Sequence, residues 1–108
     1  MKSEVFITKI SSFFPNNPVG NDEMEEYLGL IDGRPSRVKS IILRQNGIKS
    51  RYYALDKKQR ITHSNAELAC SAINKLFTTE EEKSGIQFLS CATSIPDQLI
   101  PSHASMVH

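Results

Sequence analysis

Apolar positions along the chain recur with two periods, one suited to strands and one to helices. Val5-Phe6-Ile7-Thr8-Lys9-Ile10 is β-branched and partly alternating, which predicts a first strand. A turn-rich passage with Pro15 and Pro18 follows, and its Phe13-Phe14 pair is expected to anchor the loop to a core. Asn21 reads as an N-cap for a helix over Asp22–Leu30, with Asp22 and Glu23 in the dipole-favoured first turn and Met24, Tyr27 and Leu28 on one apolar face. Ser36 then caps a second helix through Val38, Ile41, Ile42 and Gln45, stopped by Asn46-Gly47 in a left-handed turn. Ile48–Leu55 reads as a strand and Asp56–Thr62 as an exposed connection.

Ser64-Asn65-Ala66-Glu67 matches a capping box, and the helix behind it buries Leu68, Ala69, Ala72, Ile73 and Leu76 at helical spacing. Thr78–Gly85 reads as a connection whose Glu80-Glu81-Glu82 run fans into solvent. Ile86–Cys91, after the Ser84-Gly85 turn, reads as a buried strand. Pro96 and Pro101 punctuate a loop, and Pro101-Ser102 opens a last helix, Ser102–His108. Strands and helices alternate without repeats, so the expected class is α/β, a single domain. The sequence stops inside that last helix, which leads us to expect a piece of a longer protein.

Composition narrows the partners. The 108 residues carry 23% charged side chains and a net charge of +1, so there is no global pull toward nucleic acid or membranes. No apolar run approaches the ~20 residues of a membrane span, and Met1-Lys2-Ser3-Glu4 lacks the pattern of a signal peptide. A cytoplasmic protein follows, with Cys70 and Cys91 as reduced thiols. His63, His103 and His108 have no zinc-ligand spacing, so no metal site is expected. Cys91 ends a predicted strand beside small residues, a position from which a nucleophile could work, yet no base is local to it. The charge pattern is more informative. Arg34, Arg37, Lys39, Arg44, Lys49, Arg51, Lys57, Lys58 and Arg60 face only Asp56 within their own segment, a face suited to phosphates or an acidic protein.

Four stretches, taken in order, carry a resemblance. They are Phe14-Pro15 with Val19-Gly20-Asn21-Asp22-Glu23; Asn46-Gly47-Ile48-Lys49-Ser50-Arg51-Tyr52-Tyr53-Ala54; the Ser64–Leu76 helix; and Phe88-Leu89-Ser90-Cys91-Ala92-Thr93-Ser94-Ile95-Pro96-Asp97 with Ile100-Pro101-Ser102-His103-Ala104. Together they resemble the N-terminal part of the β-ketoacyl-acyl-carrier-protein synthase III family, within the thiolase-like superfamily. The resemblance runs nearly the whole chain. It implies a thiolase-like α/β fold, of which residues 1–108 are the opening part of the first βαβαβ half. It also implies decarboxylative Claisen condensation of an acyl thioester with a malonyl thioester, in fatty acid or polyketide-type lipid biosynthesis. The family's Cys nucleophile, His and Asn all come later than the Pro-Ser helix, so no catalytic residue is expected here, and neither Cys70 nor Cys91 inherits the nucleophile role.

What the resemblance carries over is peripheral. Ile41 takes the position of a tryptophan that stacks on coenzyme A adenine, and Gln45 that of an arginine near the same nucleotide, with Arg44 one place off. Losing both partners disfavours coenzyme A priming. An acyl chain on the phosphopantetheine of an acidic acyl carrier protein, docked on Arg37, Arg44 and Lys49, fits better. Ile100 takes the position of a phenylalanine that reaches into the partner subunit's acyl pocket, which implies a homodimer and a roomier pocket. No cofactor beyond the thioester substrates is implied. The competing expectation is a small α/β binding module whose Arg34–Arg60 face recognises an acidic protein or nucleotide.

Overall fold

The structure is a computed structural model and describes residues 2–108. It comprises two units, one spanning Phe14–Ser64 and the other joining the N-terminal residues through Phe13 to Asn65–His108. The described residues form a mixed α/β chain, in the order β1 Val19–Gly20, α1 Met24–Leu28, α2 Lys39–Asn46, β2 Ser50–Arg51, α3 Asn65–Leu76, α4 Glu80–Ser84 and α5 His103–Val107.

In the Phe14–Ser64 unit, β1 and β2 pair antiparallel, Val19 opposite Arg51 and Gly20 opposite Ser50. Val19 is 1% exposed and Pro15 is also buried. The Arg51 guanidinium ties this pair to the following turn, with Nη2 donating to Asn21 Oδ1 at 2.6 Å and Nη1 to the Val19 carbonyl at 3.4 Å. Asn21 is therefore committed to Arg51 and does not cap a helix; α1 begins two residues after the expected start, with Glu23 at its N-cap. The expected strand Ile48–Leu55 contracts to Ser50–Arg51, because β1 is only two residues long and offers no further ladder. Beyond it the chain reverses: Leu55 bridges Ile61, and the Thr62 amide donates to the Ala54 carbonyl at 2.9 Å. Asp56 closes that turn by accepting from the Lys58 and Arg60 amides and the Arg60 side chain. Phe14 stacks on Tyr52 with ring centroids 4.7 Å apart.

In the other unit, α3 packs on α5, and Val107 of α5 is buried. A helix opens at Pro101-Ser102 as expected, with Ser102 as its N-cap, accepting from the Ser105 amide at 3.2 Å. Lys9 and Ser11 run alongside α3, donating to the Leu76 and Ala72 carbonyls. The Glu80–Glu82 run is exposed, as expected, yet it forms a short helix and not a loop. Thr79 and Glu82 form a reciprocal capping box that starts α4, and Lys9 Nζ pairs with Glu82 Oε1 at 3.1 Å. A carboxylate at the third helical position satisfies amides that a loop would leave to water.

Two expected strands are absent. Val5–Ile10 and Ile86–Cys91 join no ladder, and Val5 and Phe88 are 92% and 83% exposed. β-Propensity describes fit to a pleated neighbour, and neither segment has one. The only sheet among the described residues is thus a two-stranded antiparallel pair. No helix among them is long and apolar enough to cross a membrane.

Candidate docking face on α2

Helix α2 buries none of its residues. Positions three and four apart share a helix face, so Ile41, Arg44 and Gln45 stand together, all exposed. Gly47 ends the helix as expected, at φ 68° and ψ 7°, its amide donating to the Leu43 carbonyl at 3.2 Å. Asn46 Oδ1 accepts the Ile48 amide at 2.8 Å, and Lys49 emerges directly beyond this cap. A left-handed position with a Cβ costs roughly 1 kcal/mol, which is why glycine serves there.

The approach to α2 is tied down from α1. Ile31 and Arg34 exchange backbone hydrogen bonds at 3.1 and 3.0 Å around a turn in which Asp32 and Gly33 have positive φ. Ser36 does not cap α2. Its amide donates to Glu25 Oε1 at 2.7 Å, while Lys39 Nζ donates to Glu25 Oε2 at 3.0 Å, and the helix starts after Val38 with no side-chain cap. Those two donors hold the Glu25 carboxyl below its ordinary range, the Ser36 amide contributing most and Lys39 next. An open cavity of about 550 Å³ lies at this approach, lined by Arg34, Arg37, Val38 and the intervening residues.

The nine basic side chains of the segment separate into two groups. Lys39, Lys57 and Arg60 are ion-paired with Glu25, Glu26 and Asp56. The Glu26 contact raises the Lys57 pKa above its ordinary value, and the Arg60 amide, with its side chain, lowers that of Asp56. Arg51 is engaged with Asn21 and the Val19 carbonyl. Arg34, Arg37, Arg44, Lys49 and Lys58 are exposed and form no ion pair among the described residues. The three residues expected to dock a carrier protein, Arg37, Arg44 and Lys49, all fall in this second group. Exposed unpaired cations have their full charge available to an incoming anion, while paired ones must first break a contact.

Ile100 belongs to the other unit, 88% exposed in the loop before α5. There Cys70 Sγ donates to the Val107 carbonyl at 3.4 Å, and Cys91 is a free, half-buried thiol. No group of three His, Cys, Asp or Glu side chains able to hold a metal occurs among the described residues. Glu25 was not legible as a site residue. Its partners lie 11 and 14 residues away, beyond the three-to-four-residue reach of any local helix signal. Compared with known proteins, the chain matches no family model and no curated sequence.

Proposed function

We propose that this chain is part of a cytoplasmic, homodimeric 3-oxoacyl-acyl-carrier-protein synthase III-like condensing enzyme of thiolase-like fold, and that its α2 face receives the acyl carrier protein. The observation that carries the reading is the set of unpaired cations Arg37, Arg44 and Lys49 beside the exposed Ile41–Arg44–Gln45 face. An acidic carrier is steered onto such a face by charge, which acts mainly on association rate and specificity. The phosphopantetheine arm then passes Ile41 and Gln45; by the resemblance, Ile100 serves the acyl pocket of the partner subunit. The nucleophile, the His and the Asn of the condensation belong to the later part of such an enzyme. Arg34 and Lys58, also unpaired, favour a second reading in which the wider face binds an acidic protein or a nucleotide without any condensation.

Titration of acyl carrier protein into this chain at low ionic strength, followed by amide NMR, tests the first reading. The combined Arg37→Glu, Arg44→Glu and Lys49→Glu variant is expected to weaken binding roughly 10- to 100-fold, the order expected for reversing three exposed pairs. An unchanged titration refutes the docking face. Coenzyme A binding as tightly as the carrier favours the second reading. Acyl transfer or malonyl decarboxylation by this chain alone would refute the resemblance, which places the reacting groups elsewhere.

A further inference from the structure

We infer that Glu25 is the positioning residue of the docking face, fixing α2 and its approach segment from α1; the inference rests on the carrier-docking reading above. Three observations carry it. Helix α2 buries no residue and has no side-chain N-cap, so neither packing nor a local cap sets its start. The Glu25 carboxylate supplies both missing restraints, one oxygen accepting the Ser36 amide and the other the Lys39 ammonium. Arg37 lies between these two anchored residues. This ion pair is also the most sheltered of those among the described residues, with Lys39 and Glu25 side chains 26% and 20% exposed. Each of the other four has a partner at 46% or more. A carboxylate held by a backbone amide and an ammonium restrains geometry more than a solvated surface pair does.

Electrostatics alone predicts the opposite sign to positioning. Removing Glu25 deletes a negative charge and frees Lys39, which by charge should strengthen binding of an acidic carrier. If Glu25 positions the face, its loss weakens binding, because Arg37 and Arg44 no longer present one arrangement and ordering them becomes part of the binding cost. Glu26 is the matched control. It stands in the same first turn of α1 and pairs with Lys57, and among the described residues it forms no ion pair with the approach to α2.

The experiment uses the full chain and acyl carrier protein as the probe, with Glu25→Ala, Glu25→Gln, Lys39→Met and Glu26→Gln variants. Affinity and its salt dependence are read together with hydrogen exchange at the Ser36 amide. Glu25→Ala is expected to raise Kd about tenfold, to flatten the salt dependence and to accelerate Ser36 exchange at least tenfold. Glu25→Gln, which keeps an acceptor for the Ser36 amide, recovers part of both losses, while Glu26→Gln binds as tightly as the parent or tighter. Lys39→Met removes the ion pair and one cation while leaving Glu25 to accept the Ser36 amide, and its Ser36 exchange keeps the test open should Glu25→Ala fail to fold. Unchanged or tighter binding by Glu25→Ala, or unaltered Ser36 exchange, overturns the inference. If the parent chain does not bind the carrier at all, the docking reading falls, and Ser36 exchange alone decides whether Glu25 is the tether.

Discussion

Val19→Ala is the substitution whose cost the structure defines best. Val19 is the one large apolar side chain of the Phe14–Ser64 unit that is fully buried, at 1% exposure. It sits opposite Arg51 in the antiparallel pair, and its carbonyl accepts from the Arg51 guanidinium. Alanine removes two methyl groups, each worth about 0.8 kcal/mol of transfer, and leaves a cavity that the short ladder fills poorly, so the loss is about 1.5–3 kcal/mol. Other apolar side chains of the unit, including Leu28, Ile41 and Ile48, are about half exposed and contribute little in its place. At 1.4 kcal/mol per decade, the opening equilibrium of the β1–β2 pair rises roughly 10- to 100-fold. Amide hydrogen exchange at Val19, Gly20, Ser50 and Arg51 reads this directly. Val5→Ala is the control: at 92% exposure it should change stability by less than about 0.5 kcal/mol. If Val19→Ala accelerates exchange no more than Val5→Ala does, the Phe14–Ser64 unit is not organised around Val19.

Two further outcomes follow from hydrogen bonds at helix ends. Asp97 accepts the Asn65 and Ala66 amides at 2.8 and 3.0 Å, and those bonds, the Asn65 one first, hold its carboxyl below the ordinary range, with His103 adding a smaller charge effect. Because the folded pKa is lowered, the Asp97 contribution is fully present above the unfolded value of ~3.9 and is lost as pH falls through the folded one. Exchange at Asn65 and Ala66 should therefore quicken in acid in the parent chain and show a much weaker pH response in Asp97→Asn; matching profiles would show that Asp97 does not cap α3. Gly47→Ala places a Cβ at φ 68° with open space around it, so only backbone strain acts, about 1 kcal/mol. Carbon chemical shifts at Arg44, Gln45 and Asn46 should move toward coil, and unchanged shifts would show that α2 does not depend on its left-handed stop.

For several elements whose partners lie within four positions, the sequence was a sufficient guide. The Gly47 stop of α2, the Ser102 cap of α5 and the course of α3 all follow from such neighbours, as does the exposed basic segment. The capping box at Thr79 and Glu82 was equally local, yet its exposed acidic run read as a connection and not as a helix start. Other assignments turned on partners far along the chain. Ser36 and Asn21 have the chemistry of caps, yet the Ser36 amide goes to Glu25 and the Asn21 oxygen to Arg51, 11 and 30 residues away. Asp97 reaches the start of α3 from 32 residues away. Val5–Ile10 and Ile86–Cys91 carry strand propensity without a ladder to join. The sequence by itself determined which groups can donate, accept or stop a helix, because those properties reside in single residues and their near neighbours. Only the tertiary structure decided which donor meets which acceptor, and so which cations of the basic segment stay free, because that choice depends on groups brought together across long separations in the chain.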